Sequence, residues 1–168
     1  MTKLFHTVLN ADDTGSPVGE LTLTADGEHL TGLYMTDQRR PLDIAPGSRE
    51  DRTPFDDVVA ELREYFSGRR RGFDVALCPE GTQFQLRVWA ALCDIPYGTT
   101  TSYGAIAKTV GAPGAARAVG AANGRNPISI IVPCHRVIGA SGNLTGYGGG
   151  LERKHKLLDL EAGSPQLV

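Results

Sequence analysis

Ile128-Ser129-Ile130-Ile131-Val132-Pro133-Cys134-His135-Arg136-Val137-Ile138-Gly139 is the stretch around which the chain is organised. Its first half is apolar and β-branched, the pattern of a buried strand. A proline stops the run, and a cysteine follows with a histidine and an arginine beside it. The reactive form of cysteine is the thiolate, and neighbouring cations favour it. A cysteine paired with a histidine is one way to make a nucleophile. The local residues also suit a small buried hydrophobe, the commoner state of a free cysteine. The sequence on either side separates these readings.

The chain has 168 residues, 40% apolar and 21% charged, which suits one domain or two small ones. The start, Met1-Thr2-Lys3-Leu4-Phe5-His6, has no apolar core of a signal peptide. No apolar run approaches a membrane span. Cys78, Cys93 and Cys134 are odd in number and lack CxxC spacing, so neither a disulfide framework nor a zinc site is expected. A reducing cytoplasm fits that usage. The net charge of -2 conceals an asymmetry: residues 1–76 carry 9 Lys/Arg against 14 Asp/Glu, and residues 77–168 carry 8 against 5. A polyanionic partner would meet the second half.

Upstream, residues 3–35 predict a small antiparallel sheet. Strands over Leu4–Leu9, Glu20–Ala25 and His29–Met35 are separated by Asp12–Pro17 and by a hairpin turn at Asp26-Gly27. Residues 37–52 read as a loop. Thr53 or Pro54 opens a helix whose apolar positions Phe55, Val58, Val59, Leu62, Tyr65 and Phe66 recur at helical spacing. A short strand is expected over Phe73–Leu77. Pro79-Glu80-Gly81 marks a boundary, giving domains over 1–78 and 79–168.

Beyond the boundary the pattern is helical. Thr82 caps a helix with Phe84, Val88, Trp89 and Leu92 on its apolar face. Ser102 caps a short helix ending at Gly111, and Ala115–Ala122 forms the next. Two helices joined by a tight glycine-containing turn make a helix-turn-helix. The second helix is almost all Ala and Gly with one long side chain, Arg117, and could lie against nucleic acid or pack on another helix. Ser141–Gly150 is a glycine-rich loop without the phosphate-loop pattern. Leu151–Glu161 is a last helix, with Arg153, Lys154 and Lys156 available to face a partner.

Taken together these residues resemble the O6-alkylguanine-DNA alkyltransferase family. The resemblance is carried by Asn126-Pro127 before the apolar run and by Pro133-Cys134-His135-Arg136-Val137. Phe84–Trp89, Ile95-Pro96-Tyr97-Gly98, Thr101–Gly104 and Ala116–Gly120 support it. It implies a mixed α/β (α+β) fold. A ribonuclease-H-like N-terminal domain with an antiparallel sheet would precede a mostly helical domain carrying the helix-turn-helix and the active-site cysteine. It implies repair of O6-alkylguanine, and of O4-alkylthymine, by irreversible transfer of the alkyl group to Cys134, once per molecule. His135 would be the base, through a water, with Glu161 as third member. Asn126 would brace the strand, and Tyr103 would protonate the leaving base. Duplex DNA would be held through the minor groove by Arg117, the finger that fills the flipped base's place, with Ser102, Ala115, Ala116, Arg125 and Arg136. Trp89, Tyr103, Val137, Tyr147, Gly148 and Gly149 would surround the base. Relatives commonly carry serine where Gly148 stands. No cofactor and no metal is implied, and the acting unit would be a monomer, with cooperation on DNA left open.

The chemistry asks for the same parts. Displacement at a saturated carbon suits a sulfur nucleophile, the leaving oxygen needs a proton, and a base inside a duplex must be flipped out. A buried Glu161 beside His135 would raise its basicity and leave Cys134 as thiolate near neutral pH. Three other readings remain open: a Cys-His hydrolase or acyltransferase, a damage sensor of the alkyltransferase-like kind, and a transcription factor with a plain helix-turn-helix.

Overall fold

The computed structural model describes residues 3–38, 44–142 and 146–163. Three strands, β1 (Phe5–Leu9), β2 (Leu21–Ala25) and β3 (Leu30–Met35), pair antiparallel in sequence order. The predicted loop contains a two-residue strand, β4 (Arg49–Glu50), which pairs parallel to β1. The sheet is therefore mixed, with order β3-β2-β1-β4. Its buried positions Leu9, Leu21, Leu23 and Leu33 are fully enclosed. The expected turn at residues 12–17 begins as a one-turn helix, α1 (Ala11–Thr14). Asn10 caps it, accepting from the Asp13 N–H while the Asp13 carboxylate accepts from the Asn10 N–H. Helix α2 (Asp56–Phe66) follows a single 3-10 turn over Thr53–Phe55. It turns Val58, Leu62, Tyr65 and Phe66 inward. The strand expected over Phe73–Leu77 reduces to one parallel bridge, Leu77 with Leu30.

The second half is helical. Thr82 caps α3 (Gln83–Cys93) in a reciprocal pair with Gln85. Ser102 caps α4 (Tyr103–Thr109), its Oγ accepting from Ala105 N–H at 3.1 Å. Helix α5 (Ala116–Gly124) completes the helix-turn-helix, and α6 (Leu151–Glu161) is the last helix among the described residues. A two-stranded parallel sheet, β5 (Thr101–Ser102) with β6 (Val137–Ile138), ties α4 to the cysteine segment. No helix among the described residues is long and apolar enough to cross a membrane.

The apolar run before Cys134 is buried as expected but is not a strand. Only Ile128 pairs, as an isolated bridge with Leu33 of β3. Leu33 N–H donates to Pro127 C=O at 2.8 Å and Leu33 C=O accepts from Ser129 N–H at 3.2 Å, so the cysteine segment docks on the edge of the N-terminal sheet. The chain then coils. Ile130 takes a left-handed φ of 74°, a conformation that a β-branched residue rarely holds. Asn126 compensates. Its Oδ1 accepts from Ile128 N–H at 3.0 Å, and its Nδ2 donates to Ile128 C=O at 3.4 Å and to Val132 C=O at 2.8 Å. One buried amide thus takes up backbone groups that a strand would have paired.

Candidate active site

Pro133 breaks the coil, and Cys134–Arg136 form a 3-10 turn that leads into β6. The turn resolves the awkward adjacency of Cys134 and His135, which on a strand would point to opposite faces. All three of its residues are buried, His135 fully.

Beneath the turn lies a saturated polar cluster. Glu161, at the end of α6, is buried. Its Oε2 accepts from His135 Nε2 at 2.8 Å, from Arg136 Nη2 at 2.8 Å and from the Tyr65 hydroxyl at 2.6 Å. Its Oε1 accepts from Arg136 Nε at 2.8 Å. Arg136 Nη1 donates to Ile95 C=O at 2.8 Å. Burial alone would lift the Glu161 pKa, but the donations from His135, Arg136 and Tyr65 outweigh it and hold the carboxyl far below its usual range. An ionised carboxylate only accepts, so the proton of neutral His135 sits on Nε2. That leaves Nδ1 as a bare lone pair, and it has no hydrogen-bond partner among the described residues.

Arg136 is therefore not a DNA contact. It is a buried two-pronged clamp on Glu161. It also alters the electrostatics expected of the trio. Burial pushes the His135 pKa below its ordinary value, more than Glu161 raises it, and the Arg136 and Lys154 charges push the same way. His135 is neutral rather than made more basic. Burial likewise raises the Cys134 pKa, against the opposing effects of the Asn126 amide, the Lys154 charge and the Tyr147 hydroxyl. The resting sulfur is a thiol, not the thiolate expected from the sequence. Lys154 does not face outward: it is fully buried, and its Nζ donates to Val137 C=O at 2.6 Å.

Above the turn is a cavity lined by Cys134, Asn123, Asn126, Ser129, Tyr147, Gly148 and Gly149, with Gln38 reaching in from beyond β3. It leaves about 10 Å³ for a water-sized occupant, at the lower limit for one water. A purine can enter only if these walls part. Tyr147 is buried, and its hydroxyl adjoins the Cys134 sulfur. A Cβ on Gly149 would stand 2.8 Å from the Tyr147 ring and 3.0 Å from Met35, so only glycine lets the loop close here. Gly148 has room: its nearest neighbour would be Gly124 C=O at 3.9 Å. The missing serine thus costs a hydroxyl and leaves the backbone N–H in place.

The other predicted residues divide. Val137 is fully buried against Lys154. The Tyr103 hydroxyl donates to Gly146 C=O at 3.5 Å, and its ring lies beside Gly120, which puts it against the segment carrying Tyr147. Arg117 and Arg125 are exposed, and Ser102, Ala115 and Ala116 are half-buried around the helix-turn-helix. Trp89 does not line the cavity. It is buried between α3 and α5, its Nε1 donating to Ala122 C=O at 2.9 Å, and is a packing residue. Sequence reasoning missed Tyr65, Asn123, Gln38 and the inward role of Lys154. Only Lys154 left a signal, since it shares a helical face with Leu157 and Glu161.

The geometry agrees with what the chain is similar to. Residues 83–163 match the family model for the 6-O-methylguanine DNA methyltransferase, DNA binding domain. Residues 13–79 match that for the 6-O-methylguanine DNA methyltransferase, ribonuclease-like domain. The chain belongs to the methylated-DNA–protein-cysteine methyltransferase family. A member from Mycobacterium bovis is 58% identical over 150 residues, covering 87% of this chain and 88% of its own. One from Methanosarcina acetivorans is 50% identical over 146 residues, covering 87% and 94%. The crystal structure of Mycobacterium tuberculosis OGT in complex with DNA superposes with a TM-score of 0.87 at 52% identity over 96% of each chain.

Proposed function

We propose that this protein repairs DNA by moving the alkyl group of O6-alkylguanine onto Cys134, and that O4-alkylthymine is a further substrate. The observation that carries the assignment of Cys134 is the adjoining His135. Its Nε2–H is pinned by an ionised Glu161 and its Nδ1 lone pair is left open. His135 Nδ1 takes the thiol proton, through one water, as the flipped base arrives. Sulfur then attacks the alkyl carbon. The carbon–sulfur bond forms as the carbon–oxygen bond breaks, and the electron pair leaves with the guanine oxygen. The Tyr103 phenol supplies the proton that neutralises the departing base. The product is a thioether, which offers water no carbonyl to attack, so each molecule acts once.

Asn126 holds the coil that presents Cys134. Val137, Tyr147, Gly148 and Gly149 form the walls around the base. Arg117 fills the stack that the base leaves, and Ser102, Ala115, Ala116 and Arg125 meet the backbone from the minor groove. The half-positive residues 79–168 carry the contact with duplex DNA, while residues 1–78 support the cysteine coil. No metal or cofactor takes part, the acting unit is a monomer, and the setting is the cytoplasm. The test is to titrate the protein with a duplex carrying O6-methylguanine and weigh it intact. One methyl group per protein, with DNA beyond one equivalent left unrepaired, supports the reading. Continued turnover would instead support a hydrolase or acyltransferase.

A further inference from the structure

We propose that Asn123 reads the exocyclic amine of the flipped guanine, which makes it a specificity-determining residue of the cavity. The inference rests on the reading of that cavity as the base pocket. Asn123 is the penultimate residue of α5, 4% exposed, and lines the cavity with Cys134 and Tyr147. Its Nδ2 donates to Cys134 C=O at 3.3 Å. A carbonyl can only accept, which fixes which end of the amide is nitrogen. The Oδ1 is therefore the free end, and it is buried with no hydrogen-bond partner among the described residues. Buried polar atoms are almost always paired, so an orphaned acceptor in a cavity wall points to a donor on the occupant.

The chemistry of the lesion identifies that donor. Alkylation at O6 removes the hydrogen from N1, so N1, N3 and N7 are all acceptors and N9 carries the sugar. The 2-amino group is then the sole N–H donor left on the base. An acceptor at Asn123 fits it and nothing else on the ring. The same helix carries exposed Arg117 in its first turn, so α5 would meet the duplex at one end and the extruded base at the other. O4-alkylthymine has no corresponding amine and gains nothing from this contact.

The experiment compares two oligonucleotides of one sequence, carrying O6-methylguanine or O6-methylhypoxanthine, which differ only in the 2-amino group. Single-turnover rates are measured for the intact protein and for Asn123→Ala and Asn123→Ser, with thermal melts to verify folding. The intact protein is expected to prefer the amine-bearing base by about 10-fold or more, because a site built to hydrogen-bond rejects the analogue that lacks the group. In the folded variants the preference should fall to within about 3-fold. A ratio near one in the intact protein overturns the proposal without any variant, as does an undiminished ratio in a folded variant. A crystal of Cys134→Ala on O6-methylguanine duplex gives a second decision: Asn123 Oδ1 within hydrogen-bond reach of N2 supports it, and an Oδ1 turned away overturns it. Intact protein that accepts methyl from neither strand would overturn the base-pocket reading itself, and this proposal with it.

Discussion

The two faces of the Cys134–Arg136 turn are built on opposite principles. On the lower face every polar atom is spoken for: Glu161 takes four hydrogen bonds from Tyr65, His135 and Arg136, and Arg136 spends its remaining reach on Ile95. On the upper face Asn123 Oδ1 and the Tyr147 hydroxyl are buried in the cavity wall without a hydrogen-bond partner, and His135 Nδ1, which is not part of that wall, is buried and unpartnered as well. They are three of the five side-chain atoms in that state among the described residues. An unsatisfied buried group costs roughly 1–3 kcal/mol, so such a cluster is not a packing accident. The saturated face fixes the tautomer and position of His135. The open face keeps donors and acceptors for what enters the cavity. Rigidity below makes openness above tolerable.

The largest effect should come from removing the sulfur that lies between the faces. Cys134→Ala is expected to abolish methyl transfer while leaving duplex affinity nearly unchanged, measured by intact mass and by fluorescence anisotropy. Methylated mutant protein would move the acceptor to exposed Cys78 or Cys93. Next comes the saturated face. Glu161→Gln leaves the buried Arg136 guanidinium without its anion, which should cost about 3–5 kcal/mol of stability. It also lets the new amide donate to His135, so Nδ1 would no longer be the bare nitrogen. Transfer should slow roughly 10- to 100-fold. A variant with wild-type melting temperature and rate would mean that the lower face is ornamental.

Acid sharpens the same contrast. His135 has a folded pKa below its unfolded value. Its contribution to stability is therefore present above about pH 6.5 and lost as pH falls from there through the folded pKa. Glu161, also held low, adds a second loss beginning below about pH 4.3. Chemical denaturation from pH 8 down should show stability beginning to fall near pH 6.5, and His135→Gln should remove that first slope. A slope that persists in the variant would assign it elsewhere.

These effects separate what the sequence could and could not disclose. Cys134 and His135 stood out as a candidate pair because a proline-bounded cysteine after an apolar run is unusual, while Glu161 was named only through the family resemblance, since nothing in its local sequence marks it. The coil at Ile128–Val132 was not legible. Its residues have strand propensity, and only the Asn126 side chain, acting through three backbone groups, overrides it. Arg136 and Lys154 were misplaced for a shared reason: a charged residue reads as surface unless its partner is known, and both partners arrive from distant sequence. Tyr65 looked like an ordinary apolar position on α2, and its hydroxyl bond to Glu161 spans 96 residues.

Smaller effects belong to the surface that leads to the open face. Arg117→Ala is expected to slow repair of duplex DNA about 10-fold or more and reaction with the free modified base far less, since a free base needs no flipping. Equal losses on both would remove Arg117 from the extrusion step. Ser102→Ala should cost about 1 kcal/mol through the lost cap on α4, read as a small drop in melting temperature.

The difference between the two faces can be observed without altering the protein. Imidazole ¹⁵N shifts of His135 at pH 7 report which nitrogen carries the proton. A neutral ring protonated at Nε2, with an unprotonated Nδ1, is the predicted state. An imidazolium, or a ring protonated at Nδ1, would contradict it, because His135 could then not accept the proton of Cys134.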